Sequence, residues 1–198
     1  MARPRKDQEG PDARTRIIDA FWGMLAEGPY EHITVRALAS HAHVNHNTIY
    51  RHFDSIENVA RTAIAEVYTV EAASHLLMLF AHPELMVTQA IGHENIRGRF
   101  EKAIMVAHSG SPALIAALQD AIRSCWMQLA GTTWEQIPET TRLELTFILG
   151  GITSMLQNYE NMEQVLASET FFQSPIGNAV RETFSRLHQE PHQTGYPA

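Results

Sequence analysis

Apolar residues recur at helical spacing along most of the chain, and no stretch shows the alternation typical of a strand. Between residues 12 and 27 they fall three and four positions apart, which places them on one face of a helix. These residues are Ile17, Ala20, Phe21, Met24 and Leu25. We therefore predict a first helix from about Asp12 to Glu27, with Gly28 and then Pro29 at its C-terminal end.

Residues 34–53 predict two short helices joined by a tight turn. Thr34 can cap a helix from Val35 to about His41, and Asn45 can cap a second one to about His52. Short polar side chains favour these positions because they accept hydrogen bonds from the free N–H groups of a helix N-terminus. The residues between the two helices read "HAHV" and form the predicted turn.

The rest of the chain predicts longer helices. Asp54, with Glu57 three residues on, is predicted to cap a helix through about Phe80. Three later helices begin at prolines, where a missing N–H group costs nothing. The remaining predicted ranges are Glu84–His108, Pro112–Ala130, Pro138–Glu160 and Pro175–Gln189. The predicted fold class is all-α.

The stretch "VNHNTIYRHF", residues 44–53, combines packing residues with many hydrogen-bonding ones. Val44, Ile49 and Phe53 can pack inward, and the polar side chains between them then face outward. Two short helices with a third packed behind form a helix-turn-helix, whose second helix presents polar groups to base edges and phosphates in the major groove. Tyr50 offers a ring for packing and a hydroxyl for a phosphate oxygen.

A longer segment around this stretch resembles a known family. Residues 15–59, "TRIIDAFWGMLAEGPYEHITVRALASHAHVNHNTIYRHFDSIENV", are similar to the DNA-binding domain of the TetR family of transcriptional regulators. The matching positions are Thr15, Arg16, Ile18, Ala20, Gly28, Tyr30, Ile33, Thr34, Val35, Leu38, Ala39, Ala42, Val44, Thr48, Ile49, Tyr50, His52, Phe53, Ser55 and Glu57. The remainder resembles the family only in being helical and of similar length.

The resemblance implies a DNA-binding homodimer. Its N-terminal domains would bind a palindromic operator, and its C-terminal helices would form a small-molecule pocket and the dimer interface, with ligand binding releasing the DNA. We expect a flexible basic arm at 1–11, a DNA-binding domain at 12–59 with its helix-turn-helix at about 34–53, an effector-binding and dimerisation domain at 60–190, and a tail at 191–198. The expected DNA-binding residues are Thr34, Arg36, Asn45, His46, Asn47, Thr48, Tyr50 and Arg51.

Three positions depart from the family pattern, and two of them lower the positive charge. His43 stands where the family usually has glycine, Ile56 replaces a usual lysine or arginine, and His46 occupies a position often held by lysine. Phosphate contacts would then depend more on the basic residues of the arm and on helix N-termini.

Charge and cysteine content fit this interpretation. The net charge is −7, but residues 1–60 carry seven basic side chains against eight acidic ones, so the acidity lies in the C-terminal part. The single cysteine, Cys125, excludes an internal disulfide and fits a reducing cytoplasm. The longest nearly apolar run, residues 145–156, is shorter than the about 20 residues of a membrane helix. The N-terminus lacks the apolar core of a signal peptide, so we predict a cytoplasmic protein.

The C-terminal part offers candidate ligand and dimer contacts. Met105, His108 and Trp126 are predicted pocket residues because they combine bulk, adaptability and polar tips. Gly150, Gly151 and Ser154 predict close helix approach, either within the monomer or, as we favour, at a dimer interface. Most other large apolar residues of this part, Phe147 among them, are interpreted as core. Arg97, Arg99 and Arg123 are interpreted as solvated, with an acidic ligand as the alternative for one of them.

Other functional classes find less support. The histidines at 41, 43, 46 and 52 match no common zinc spacing, so no metal and no cofactor are predicted. The chain has no nucleophile elbow, phosphate loop or protease-type zinc motif, and Cys125 beside Trp126 is typical of a core thiol. An enzyme is therefore a distant alternative. An architectural or ligand-independent DNA-binding dimer is the nearer one.

Overall fold

The computed structural model describes residues 12–69, 94–160 and 173–189, together with residues 71, 74 and 164. Within these residues the regular structure is helical, with no strand. The α-helices are α1 (Ala13–Glu27), α2 (Val35–His41), α3 (His46–His52), α4 (Ile56–Val67), α5 (Glu94–His108), α6 (Pro112–Ala130), α7 (Glu139–Asn158) and α8 (Pro175–Gln189), with a 3₁₀ turn at Tyr30–His32. The predicted all-α fold is confirmed. The predicted arm and tail, and residues 75–93 of the predicted helices, lie outside the described residues.

Side-chain caps begin the first three helices. The Asp12 carboxylate accepts the Thr15 N–H at 2.8 Å, and this bond holds the pKa of Asp12 below its usual value. Thr34 accepts the Ala37 N–H at 3.2 Å. Asn45 accepts the Asn47 N–H at 2.9 Å. The predicted caps of α2 and α3 are confirmed, and Asp12 precedes α1 rather than starting it.

The predicted cap of α4 is wrong. Ser55, not Asp54, is the capping residue, and its hydroxyl accepts the Asn58 N–H at 3.1 Å. Asp54 lies one residue further out, where it is exposed. The carboxyl of Glu57 has a lowered pKa because its own N–H and then the Ser55 side chain hydrogen-bond to it.

The predicted C-terminal end of α4 is also wrong. The helix ends at Val67 rather than near Phe80, because Tyr68 leaves the helical region with φ −100° and ψ 79°. The Tyr68 hydroxyl donates to the Arg99 carbonyl at 3.3 Å, and its own carbonyl accepts the Cys125 thiol at 2.7 Å. These bonds to α5 and α6 hold the residue away from the path of α4.

Two smaller differences occur at other helix ends. Gly28 ends α1 in an extended conformation that any residue can adopt, so its expected glycine-specific role is not seen. Pro138 is the N-cap of α7, whose helix runs from Glu139 to Asn158 within the wider predicted range.

One hydrophobic core runs through both parts of the chain. In the N-terminal part, α1 packs against α2, α3 and α4, and in the C-terminal part α7 packs against α5, α6 and α8. The two parts meet where α4 packs on α6 and α1 on α5. There Lys102 lies over the Trp22 ring at 5.1 Å, and the Tyr30 N–H donates to the Ser109 carbonyl at 3.4 Å. The position of the N-terminal helices is thus tied to α5 and α6.

Among the helices that the structure describes, none combines the length and the apolar character needed to cross a membrane.

The α4 cap gives a direct test of the local structure. We expect Ser55→Ala to lower the free energy of unfolding by about 0.5–2 kcal/mol, because it leaves an N–H of the first turn without its acceptor. The matched variant Asp54→Ala should change it much less. Urea unfolding of both variants measures the difference. An equal or larger loss of unfolding free energy in Asp54→Ala would show that Asp54 is the capping residue.

Candidate nucleic-acid interface

The turn between α2 and α3 is built from backbone hydrogen bonds around a left-handed residue. His43 has a φ of 51°, the only positive φ of a non-glycine residue in the described part of the chain. The His43 N–H donates to the Ser40 carbonyl at 3.2 Å, and the Val44 N–H to the Ala39 carbonyl at 3.0 Å. This pair of bonds is the Schellman arrangement, which ends a helix sharply and usually places glycine at the left-handed position. Histidine thus occupies a left-handed position where glycine would be less strained.

Two arginines of α1 hold this turn and the end of α3. The Arg16 side chain donates to the His43 carbonyl at 3.4 Å, and its Nε is buried without a hydrogen-bond partner among the described residues. Arg14 lies over the Phe53 ring at 5.9 Å and pairs with Glu66 of α4 at 2.5 Å. Because α1 contacts the turn, α3 and α4 together, it fixes the orientation of α3 within the domain.

The inward face of α3 is packed as predicted. Ile49 is 1% exposed, Phe53 is buried directly after the helix, and Val44 is half-buried before it. A seven-residue helix is too short to be stable alone, so this packing and the Asn45 cap keep it folded.

The outward face of α3 carries the predicted DNA-binding residues. Tyr50 is 57% exposed, an unusual position for a large aromatic residue on a packed helix. The other exposed residues of the set are Asn45, His46, Asn47 and Arg51 on α3 and its cap, with Thr34 and Arg36 at the start of α2. Thr48 is half-buried. In the described part of the chain neither Arg36 nor Arg51 forms a salt bridge, so both charges are available to phosphates.

The four histidines near the motif lie in different places. His41 points back along α2, with Nδ1 3.1 Å from the Ala37 carbonyl and Nε2 3.8 Å from Glu27. His43 lies in the turn, and His46 and His52 are exposed at the two ends of α3. In residues 12–69, 94–160 and 173–189, no group of three histidine, cysteine or acidic side chains is placed to hold a metal ion.

The predicted pocket residues are already engaged with other helices. Trp126 is buried on α6 and makes an edge contact with Phe184 of α8 at 4.8 Å. His108 ends α5, and its Nε2 lies 2.8 Å from the Tyr159 carbonyl and 3.2 Å from that of Leu156. Met105 is half-buried. These contacts give Trp126 and His108 roles in holding α7 and α8, and their part in a pocket stays a prediction.

The predicted dimer residues lie on an exposed face of α7. A Cβ atom built on Gly150 or Gly151 meets nothing within 4 Å, so close packing inside the monomer does not explain these glycines. Ser154 is exposed on the same face. Two large residues share it: Phe147, which the sequence suggested was core, is 76% exposed, and Leu143 is 65% exposed.

Sequence reasoning missed two exposed large apolar residues, Leu143 on this face of α7 and Ile176 of α8, which is 57% exposed. Spacing could have indicated Leu143, which precedes Phe147, Gly150 and Ser154 by four, seven and eleven positions on one helix face. We call Leu143, Phe147, Gly150, Gly151 and Ser154 the exposed α7 surface.

The geometry of α1 to α4 defines a helix-turn-helix domain of the DNA-binding class. Residues 17–63 match the family model described as bacterial regulatory proteins, tetR family. The N-terminal domain therefore matches the DNA-binding domain of the TetR family of regulators.

Two solved structures are similar over most of the chain. Multidrug binding protein EbrR complexed with imidazole is 20% identical, with 94% of this chain and 100% of that chain covered and a TM-score of 0.42. Fatty acid degradation regulator FadR from Bacillus halodurans is 16% identical, with coverages of 91% and 96% and a TM-score of 0.42. At that level of superposition neither likeness bears on ligand or mechanism. No curated protein matches the chain.

The outward face of α3 predicts two kinds of mutant. Tyr50→Ala should weaken binding to all DNA sequences, and Tyr50→Phe should share that loss if the hydroxyl contacts phosphate. Asn47→Ala should instead cost about 1–3 kcal/mol at one base pair and change the preferred sequence. Gel shifts with DNA enriched from a randomised duplex library measure both effects, with Gln157→Ala on α7 as the control. Wild-type binding by both Tyr50→Ala and Asn47→Ala would exclude α3 as the reading helix.

Proposed function

We propose that this protein is a cytoplasmic transcriptional repressor that binds a palindromic operator as a homodimer and is released from it by a small molecule. The observation that carries the proposal is the outward face of α3, where exposed hydrogen-bonding groups surround the exposed Tyr50. No catalytic step, metal or cofactor forms part of the proposed function.

The shape and chemistry of α3 suit the major groove. Its seven residues form a helix about 10 Å long. A helix of this size fits in the major groove, which is about 12 Å wide. Asn47 has both a donor and an acceptor and can pair with adenine, while Arg51 can pair with guanine or a phosphate. The net charge of −7 is unfavourable for binding DNA phosphates. The exposed N-termini of α2 and α3 add partial positive charge that favours phosphate binding.

The exposed α7 surface supports the homodimer. Large apolar side chains are exposed on the same face of α7 as glycines that leave room for a partner. A second copy related by two-fold symmetry would present the same surface. The large side chains of one copy could then pack against the glycines of the other. Two recognition helices related in this way would contact half-sites about one helical turn apart.

The contacts between the two parts of the chain support control by a ligand. The N-terminal domain is held against α5 and α6 by Trp22, Tyr30 and Tyr68. A ligand that binds the C-terminal helices better in one arrangement than in another would shift the position of α1 and α4. The alternative is a ligand-independent DNA-binding dimer, in which these contacts only fix the domain in place.

The dimer is tested by filling the space beside Gly151 with a larger side chain. We expect Gly151→Leu to yield monomers by light scattering, because the larger side chain separates the two α7 helices. The folded monomer has room for it, since a Cβ at Gly151 meets no atom within 4 Å. Gly23→Leu on α1 is the matched control because Gly23 has equally open surroundings, and it should remain dimeric. If Gly151→Leu remains as dimeric as that control, the interface lies elsewhere.

Ligand control is tested with a compound library. Compounds that raise the melting temperature of the protein are first selected, and each is added to the complex with its enriched DNA. We expect at least one to weaken DNA binding tenfold or more. Compounds that bind without changing DNA affinity would favour the ligand-independent alternative.

A further inference from the structure

An arginine occupies a buried face of α5. Arg99 follows Ile96 by three positions and precedes Ala103 and Val106 by four and seven, so the four residues lie on one side of the helix. Ile96, Ala103 and Val106 are buried, and Arg99 is itself half-buried. The position therefore resembles a core position, filled by a cation.

Arg99 is not neutralised by an acidic neighbour in the described part of the chain. Its neighbour Arg97 pairs with Glu101 at 2.9 Å on the exposed side of α5. Arg123 pairs in the same way with Asp120 on α6. For Arg99, by contrast, no carboxylate of residues 12–69, 94–160 or 173–189 lies within ion-pairing distance.

The surroundings of Arg99 are the junction of α4, α5 and α6. The Tyr68 hydroxyl donates to the Arg99 carbonyl at 3.3 Å, and the Cys125 thiol donates to the Tyr68 carbonyl at 2.7 Å. Burial raises the pKa values of both Tyr68 and Cys125, and the Arg99 charge opposes each rise. The guanidinium is thus close enough to act on the interior, while both of its titratable neighbours remain neutral.

A half-buried cation without an anion is unfavourable. It has given up part of its hydration without gaining a countercharge, and this loss is not recovered by neutral neighbours. An arginine with this placement can form an ion pair with an anion from outside the chain.

We propose that Arg99 binds the carboxylate of the effector, which is a small organic acid with an apolar body. The proposal rests on the proposed function, in which the C-terminal helices bind an effector. A planar guanidinium matches a carboxylate through two parallel hydrogen bonds, and one arginine balances one carboxylate charge. The buried Ile96, Ala103 and Val106 make the same side of α5 apolar. A carboxylate there would lie beside Tyr68, the residue at which α4 ends.

The binding test uses full-length protein and matched probes. Octanoate, benzoate and 4-phenylbutyrate are titrated by calorimetry beside octanamide, benzamide and benzylamine. We expect at least one acid to bind, and its amide or amine analogue to bind at least tenfold more weakly. Arg99→Gln should lose about 10- to 150-fold in affinity for that acid, which is the worth of a hydrogen bond to a charged group. Arg97→Gln makes the same charge change two residues away and should bind within threefold of wild type.

A second measurement does not depend on the choice of acid. Arg99→Met keeps the length of the side chain and removes the charge, so the ligand-free protein should melt at the same or a higher temperature. A structural arginine would instead give a clear fall in melting temperature. Such a fall overturns the proposal, and so do failure of every acid to bind and unchanged acid affinity in Arg99→Gln.

DNA binding separates this proposal from the proposed function. Arg99→Gln should bind the enriched DNA as wild type does, and the acid should no longer release it. Release of the variant by the same acid would overturn the role of Arg99 and leave ligand control intact. An acid that needs Arg99 to bind but never releases DNA would uphold this site and contradict the proposed control.

Discussion

The left-handed backbone at His43 is the constraint on which the DNA-binding surface depends. With a φ of 51° at this residue, the chain closes α2 and reverses direction in time for Asn45 to cap α3. Histidine tolerates this conformation less well than glycine. The Arg16 bond to the His43 carbonyl and the two turn hydrogen bonds offset the strain. With α3 packed in the direction that this turn gives it, Ile49 is buried and Tyr50 beside it is exposed.

Local signals predicted the N-terminal domain well because its helices are short and capped by side chains. Thr34 and Asn45 cap where the sequence indicates, since a cap needs only a polar residue ahead of an apolar pattern. The same rule could not choose between Asp54 and Ser55, which are adjacent and both suitable. Distant contacts decided the end of α4, where Tyr68 bonds to residues 31 and 57 positions away. No local pattern contains that information.

The candidate sites of the C-terminal part were harder to predict, because an apolar residue in a sequence can face the core or a partner. Phe147 and Trp126 look alike in the sequence, yet Phe147 is exposed and Trp126 is buried against Phe184. Arg99 is ambiguous in the opposite sense. An arginine is expected to be exposed to solvent, but this one lies on the same helix face as core residues. In both cases the placement of the side chain, rather than its type, points to a binding role. The two sites lie on different helices, α7 and α5, so the proposed dimer surface and the proposed ligand contact can be altered separately.

The central claim is that α3 reads DNA in the major groove, and chemical protection of bound DNA tests it most directly. Dimethyl sulfate methylates guanine N7 in the major groove and adenine N3 in the minor groove. On DNA enriched by the protein, the account predicts protection of guanine N7 in two symmetric patches about one helical turn apart, on one face of the duplex. Protection confined to adenine N3, or a single patch without symmetry, would contradict it.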